Sequence, residues 1–172
     1  RLAVKYVDKK QKVLVGFREK SSSLLADISR CEILHPSVGL MIEDLQRLLG
    51  GLSILRQVPQ IEVAVADNAT ALVFRHLAPP SPADREALLH FARARKIMIF
   101  LQAGGPDSIT PLDPDQPTTL VYAVPAYGLD FEFLPADFIQ INQDINRKMI
   151  DLVLALLELG TGDEVLELFC GL

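Results

Sequence analysis

The sequence lacks several features that would place it in a common class of protein. It contains no tryptophan, and its two cysteines lie far apart, so they do not form a disulfide framework. No apolar run approaches the roughly 18 residues that a membrane-spanning helix needs. No signal peptide opens the chain, because Arg1 leads directly into an alternating strand pattern. These absences favour a cytoplasmic protein in a reducing compartment, without contact to a membrane.

Patterns that carry chemistry by themselves are also missing. No Ser/His/Asp arrangement, P-loop or complete G-x-G-x-x-G motif occurs. The three histidines have no partner at metal-binding spacing; they are His35, His76 and His90. The sequence therefore contains none of these catalytic or nucleotide-binding motifs.

Positive charge is scarce overall but concentrated at one end. The formal net charge is −5, which does not indicate nucleic-acid binding. Residues 1–20, however, carry seven Lys and Arg against two Asp and Glu, a net +5, so the remainder carries −10. A basic end on an acidic body can present phosphate contacts locally. Lysines on a hairpin can also serve only to keep an exposed edge soluble, so both interpretations stay open.

What is present is a regular α+β pattern. The 172 residues suffice for one domain, or for one domain and part of another, and a hydrophobic content of 49% suits a packed core. Strands come in hairpins separated by single helices, which predicts an α+β fold and not strict βαβ alternation. We expect hairpins over 2–17, 61–77 and 118–134, and single strands over 24–30, 96–101 and 164–169. Helices are expected over 36–49, 82–95 and 143–159. Residues 102–117 are expected to form an irregular exposed loop.

The end of the chain has a special pattern. The apolar run 165–169 leads into Cys170-Gly171. A strand that runs into a glycine turn is how a doubly wound α/β nucleotide site begins. The helix before it carries an apolar stripe that we expect to be buried, namely Ile145, Met149, Val153, Leu156 and Leu157. The chain is therefore expected to be a fragment that ends at the entrance to a cofactor site.

Two segments carry a resemblance to a known family. The first is D-F-I-Q-I-N-x3-N-x2-M, residues 137–149, and the second is V-L-E-L-F-C-G-L, residues 165–172. In this order and at this separation they resemble the RNA uracil-C5 methyltransferases, with the iron–sulfur-containing 23S rRNA methyltransferases as the best match. Further matching stretches are G-F-R-E-K at 16–20, C-x-I-L-x-P at 31–36 and A-D-R-E at 83–86. The resemblance covers nearly the whole chain but only the middle of the family's full length.

The resemblance also implies a domain organisation. Residues 1–136 would form an α+β central domain. Residues 137–172 would be the truncated start of a Rossmann-like α/β methyltransferase domain that depends on S-adenosylmethionine, with only its first helix and strand present.

Three residues receive roles from this resemblance. Gln140 and Phe169 match positions that contact S-adenosylmethionine, and the amide of a glutamine can both donate and accept hydrogen bonds. A phenylalanine at the carboxyl end of a strand can reach the ligand crevice of an open α/β sheet. Cys31 matches the fourth cysteine ligand of a [4Fe–4S] cluster. From the residues alone, Phe169 would be core, Gln140 a helix-entry residue and Cys31 an ordinary free thiol.

The other three cluster ligands of the family are absent from the chain, so no cluster is expected to assemble here. A ligand cysteine must present its sulfur to the iron, so we expect Cys31 at an edge or in a surface-accessible notch. Cys170 is expected to be a small buried thiol.

The reaction that the resemblance implies is methyl transfer from S-adenosylmethionine to uracil C5 in 23S ribosomal RNA. In that family a cysteine thiolate adds to C6, the resulting enolate attacks the methyl group, and a general base then removes the C5 proton. Both groups lie in the family's C-terminal part, so this chain alone is expected to be inactive.

The helix over 143–159 and the strand over 164–169 would leave their apolar faces uncovered in a monomer. We therefore expect this last segment to pack on a second copy of the chain or to be poorly ordered.

Two alternatives remain open on the sequence. The first is a non-catalytic RNA-docking module, which the basic residues 1–20 favour and the methyltransferase-like strand at 165–169 opposes. The second is another Rossmann-type enzyme, such as a dehydrogenase, whose first nucleotide strand would be that same apolar run.

Overall fold

Alternating apolar residues build a six-stranded mixed sheet, here called the main sheet. The computed structural model describes residues 1–168. The strands are β1 (Leu2–Val7), β2 (Lys12–Gly16), β3 (Gln60–Val65), β4 (Thr70–Arg75), β5 (Met98–Gln102) and β6 (Ile109–Pro111). Their order is β2-β1-β3-β4-β5-β6, and only the β4–β5 pair is parallel. The predicted first two hairpins are therefore confirmed.

Two helices cover one face of the main sheet. Within residues 1–168 the α-helices are α1 (Pro36–Gly39), α2 (Ile42–Gly50), α3 (Pro82–Arg95) and α4 (Gln143–Leu157). Helix α2 packs against β2, and α3 packs against β5. The core between them includes Leu2, Ile42, Leu45, Phe74 and Ile99, all of which are essentially inaccessible to solvent. None of the four helices is long and apolar enough to cross a membrane.

A second core lies on the opposite face of the main sheet. Successive side chains of a strand point to opposite faces, so β4 contributes Leu72 and Phe74 to the first core and Val73 to the second. The second core is completed by a separate hairpin of β7 (Leu120–Val124) and β8 (Leu129–Phe133). The structure is thus mixed α+β, as the sequence predicts, with the main sheet between two apolar layers.

A buried carboxylate organises the start of α3. Asp84 accepts hydrogen bonds from the backbone N–H and hydroxyl of Ser81, at 2.9 and 2.8 Å, and from the same two groups of Ser53, at 2.7 and 2.5 Å. Burial alone would raise the pKa of Asp84, but these four hydrogen bonds outweigh it and lower the pKa to about 2. The capping residue predicted at Ser81 is confirmed, and Asp84 also ties α3 to the turn after α2.

The predicted strand over 24–30 is wrong, because this segment does not pair continuously with β2 and its later residues bind to a helix. Its only strand-like pairing is an isolated bridge between Arg18 and Leu25. Its later carbonyls face α2: the amide of Gln46 donates to the carbonyl of Ile28 at 2.8 Å, and Glu43 N–H donates to Ser29 at 3.2 Å. The carbonyls of Ile28 and Ser29 are thus used by α2 and not by a neighbouring strand.

Three further boundaries differ from the prediction. The helix expected over 36–49 is interrupted at Leu40 and Met41, which separate α1 from α2. The loop expected over 102–117 contains β6, and its Leu112 is buried in the first core. Residues 164–168 of the expected last strand are exposed and form no strand, since no described segment pairs with them. Phe169 and Cys170 lie outside the described residues.

Candidate cofactor and metal-ligand residues

The segment that carries Gln140 is a short loop between β8 and α4. It is closed at one end by Asp137, whose carboxylate accepts from Leu134 N–H at 2.6 Å. It is closed at the other by Asn142, whose side-chain oxygen accepts from Ile145 N–H at 3.0 Å and caps α4 as predicted. Gln140 lies between these two fixed points, is exposed, and makes no side-chain hydrogen bond with any described residue. Its amide is therefore available to a ligand.

Helix α4 is attached to the rest of the chain through polar groups. Arg147 donates to both oxygens of Asp67 at 3.0 Å and to the carbonyl of Ala123 at 3.1 Å. Asn146 donates to the hydroxyl of Tyr122 at 3.0 Å. The hydrogen bond with Asp67 raises the pKa of Arg147. Because Arg147 and Asp67 are 80 residues apart in the chain, no local sequence signal could have indicated this attachment.

The apolar stripe of α4 is not covered. The five residues that were expected to form its buried side are all 47–74% exposed, and the helix, which is described along its whole length, contains no buried residue. The stripe is therefore not buried within this single chain, and the exposure that was expected for it in a monomer is confirmed: the polar side of α4 is turned toward the β7–β8 hairpin and the β3–β4 turn. Only Ile150 packs partly against the second core. An uncovered apolar face of this kind marks a surface that another group can bind.

The surroundings of Cys31 differ from the expected surface notch. Its side chain is only 9% exposed and belongs to the first core, so that expectation is wrong. Its backbone N–H donates to the carbonyl of Gly39 at 2.9 Å. A Cβ atom at Gly39 would lie 2.1 Å from the carbonyl oxygen of Cys31, so only glycine allows the two backbones to approach this closely. Position 31 is therefore held by α1.

The described residues do not supply a ligand set for a metal cluster. Within residues 1–168 no group of three or more His, Cys, Asp or Glu side chains is arranged to hold a metal ion. His35 has a different role in α1, where its Nδ1 accepts from Ser37 N–H at 3.3 Å. Cys31 thus supplies a single thiol, and the groups present here do not by themselves fit a [4Fe–4S] cluster. Phe169, the second proposed cofactor contact, falls beyond the described range.

Comparison with known proteins supports the resemblance given by the motifs. The chain is 50% identical over 173 residues to the 23S rRNA (uracil(1939)-C(5))-methyltransferase RlmD of Nitrosococcus oceani, a match that covers 100% of the chain and 38% of that relative. Proteins of the same name from Vesicomyosocius okutanii and Cupriavidus necator are 45% and 46% identical over the whole chain, which covers 39% of each. The resemblance to 23S rRNA uracil-C5 methyltransferases is thereby confirmed. The chain spans 38–39% of the length of these relatives. No protein-family model matches it.

Proposed function

We propose that this chain is part of a 23S rRNA uracil-C5 methyltransferase, a cytoplasmic enzyme that forms 5-methyluridine with S-adenosylmethionine as the methyl donor. The observation that carries the proposal is identity of 45–50% along the whole chain to relatives named for this activity. Because the chain spans only 38–39% of their length, the activity is proposed for a protein of the relatives' length. We also propose the division into a central domain, 1–136, and the start of the methyltransferase domain, 137–172.

Gln140 is the residue of the described range that we propose to bind S-adenosylmethionine, together with Phe169. The cofactor supplies an electrophilic methyl group when it is bound. The contribution of Gln140 is positional: its side chain is exposed on a loop fixed by Asp137 and Asn142, so its amide can bind polar cofactor groups without breaking a described hydrogen bond. No step of the reaction is assigned to this residue.

A methylation assay tests this proposal. A protein of the relatives' length should transfer labelled methyl groups from S-adenosylmethionine to C5 of a uridine in a 23S rRNA transcript, whereas the 172-residue chain should not. Gln140→Ala in the longer protein should weaken cofactor binding by about threefold to tenfold, the loss typical of one or two hydrogen bonds. The matched control is Gln143→Ala, three residues further on, whose side chain reaches back to the Val65 carbonyl at 3.4 Å. Equal effects of the two substitutions would contradict the role of Gln140.

Cys31 is proposed as one thiolate ligand of a [4Fe–4S] cluster in the longer protein. The close contact with Gly39 holds its backbone in place, and cluster binding would require the residues of the first core around its side chain to expose the sulfur. The test is the visible spectrum of anaerobically purified protein of the relatives' length. Cys31→Ser should lose cluster absorbance and Cys170→Ser should keep it. A full cluster in the Cys31→Ser protein would exclude the ligand role.

For the 172-residue chain studied by itself, we propose self-association through the apolar face of α4. Burying that face in a dimer is favourable by roughly 25 cal/mol per Å² of apolar surface. Sedimentation velocity should show a dimer that Val153→Glu converts to a monomer, because Val153 lies in the middle of the exposed stripe. Lys148→Glu, which changes an exposed polar position of the same helix, should leave the dimer intact. A monomeric starting chain would refute this proposal.

A further inference from the structure

A stacked pair of side chains lies beside the turn of the β1–β2 hairpin. The guanidinium of Arg56 lies over the ring of Tyr6, with its central carbon 4.2 Å from the ring centroid. Arg56 also forms an ion pair with Asp8, and this hydrogen bond lowers the pKa of the Asp8 carboxyl. The Tyr6 hydroxyl donates to the side-chain oxygen of Gln11 at 2.9 Å. Both members of this Tyr6–Arg56 stack are thus oriented by a second contact.

The stack borders a small open cleft. The cleft has a volume of about 200 Å³, and besides the stack it is lined by Val4, Lys5, Leu55, Val58 and Pro59. The Arg56 side chain remains 56% exposed, so its guanidinium is accessible from solvent although one face lies on Tyr6. A planar cation above an aromatic ring, beside an open cleft with both polar and apolar lining, offers a flat surface on which another ring can stack.

The β1–β2 hairpin, together with the residues paired to it, remains positive after its ion pairs are counted. The hairpin region and its partners hold six cationic side chains and three carboxylates, a net charge of +3 in a chain of net −5. The cations are Arg1, Lys5, Lys9, Lys10, Lys12 and Arg56, and the carboxylates are Asp8, Asp27 and Glu62. Lys5 and Lys9 form no ion pair with any residue in the described range. They are therefore the two cations most available to a phosphate.

We propose that the Tyr6–Arg56 stack receives an unpaired RNA base, with Lys5 and Lys9 contacting the phosphates beside it. Single-stranded RNA is bound in this way because each base has a flat face that stacks on aromatic or guanidinium groups, while cations follow the backbone. The ion pair with Asp8 keeps the guanidinium plane in position before the base arrives. This inference rests on the proposed function, and it adds an RNA contact on the β1–β2 hairpin, away from Gln140 and α4.

Fluorescence anisotropy with two labelled probes tests the inference on the 172-residue chain. One probe is a short single-stranded oligouridylate, and the other is an abasic RNA of the same length, which keeps the phosphates but has no base to stack. Arg56→Lys preserves the charge and removes the planar group. It should weaken binding of the oligouridylate by about tenfold, in the range measured for stacking of one base, and leave binding of the abasic probe unchanged.

Two further variants separate stacking from charge. Arg93→Lys is the matched control, because Arg93 is also exposed and paired with an aspartate but lies on α3; it should change neither affinity. The double variant Lys5→Gln, Lys9→Gln should weaken both probes and reduce the slope of log affinity against log salt by about 1.4, since each phosphate contact to a single strand contributes about 0.7. Thermal unfolding of each variant checks that the fold is kept.

Three results would overturn the inference: no binding of the oligouridylate at low salt, equal effects of Arg56→Lys and Arg93→Lys, or equal loss for the two probes with Arg56→Lys. None of these depends on methyl transfer. Methylation by the longer protein can therefore succeed while the stacking contact fails, and the two proposals can be refuted separately.

Discussion

Helices α2 and α4 have comparable apolar stripes, yet their environments are opposite. In α2 the stripe residues Ile42, Leu45 and Leu49 are completely buried against the main sheet. In α4 the stripe is exposed along its whole length, and the helix is held by Arg147 and Asn146 on its other side. Apolar periodicity thus predicts that a segment is helical and which face is apolar. Whether that face is buried depends on a partner surface, which the periodicity does not specify.

The same substitution in both helices gives the largest expected contrast. Leu45→Ala should lower the free energy of unfolding by about 2–5 kcal/mol, because it removes buried methyl groups and leaves a cavity. Leu156→Ala should change it by no more than about 0.5 kcal/mol at protein concentrations low enough to keep the chain monomeric, because Leu156 is 74% exposed in the single chain and leaves no cavity. Urea denaturation of both variants measures the difference. Sedimentation should accompany it, since a loss at Leu156 that depends on protein concentration would indicate that the face of α4 is covered by a second copy.

The second prediction compares two glycines at the ends of α1 and α2. Gly39→Ala should cost about 2–3 kcal/mol, because its Cβ would lie 2.1 Å from the Cys31 carbonyl oxygen and one backbone must move. Gly50→Ala has open space around the new Cβ and should be neutral or stabilising by about 0.4–1 kcal/mol. Thermal unfolding of the two proteins would show this. A tolerated Gly39→Ala would mean that the Cys31 segment is not fixed by α1.

The parts of the fold that could be predicted are those with a local signal. Period-two alternation gave the three hairpins, and Ser81 followed by Pro82 gave the start of α3. The errors occur where the decisive contact is distant in the chain. Residues 24–30 were predicted to be a strand. The amide of Gln46 and the backbone of Glu43 instead bind this segment to α2.

The candidate site shows the same division. The cap of α4 at Asn142 could be predicted, because a capping side chain bonds within its own turn. The role of Gln140 came from resemblance to a family and remains a prediction. The burial of Cys31 was missed because its side chain packs in the first core, whose members come from distant parts of the chain. The Tyr6–Arg56 stack also joins distant residues, so only the tertiary structure brings it together.

The third prediction concerns the buried Asp84 carboxylate at the start of α3. In the folded protein the pKa of Asp84 is about 2, below the ordinary value of 3.8. The ionised carboxylate therefore contributes fully to the free energy of unfolding above the ordinary pKa, and this contribution is lost as the pH falls through the folded pKa. The shift corresponds to about 2 kcal/mol. Asp84→Asn should therefore lose about 2 kcal/mol at pH 7 and almost nothing near pH 2, relative to the unchanged protein.

Denaturant unfolding across this pH range measures the loss. Asp107→Asn, at an exposed carboxylate in the loop after β5, is the control and should be nearly neutral at both ends of the range. A loss for Asp84→Asn that is independent of pH would assign the effect to packing and not to the ionised carboxylate.

The smallest expected effect is at the attachment of α4. Arg147→Ala removes the ion pair with Asp67 and the hydrogen bond to the Ala123 carbonyl. Both charged groups are partly exposed to solvent, so the loss in global stability should be smaller than for the three variants above. Hydrogen exchange should respond more strongly: amides of α4 should exchange faster, while those of β4 in the main sheet keep their rates. Arg147→Lys should give an intermediate result, because a lysine keeps the charge but cannot bind both carboxylate oxygens and the carbonyl with one planar group. Equal acceleration of exchange in β4 and α4 by Arg147→Ala would contradict this prediction, because it would mean that the two regions unfold as one cooperative unit. The exposed stripe of α4 would then not make that helix less stable than the part of the fold that contains the buried stripe of α2.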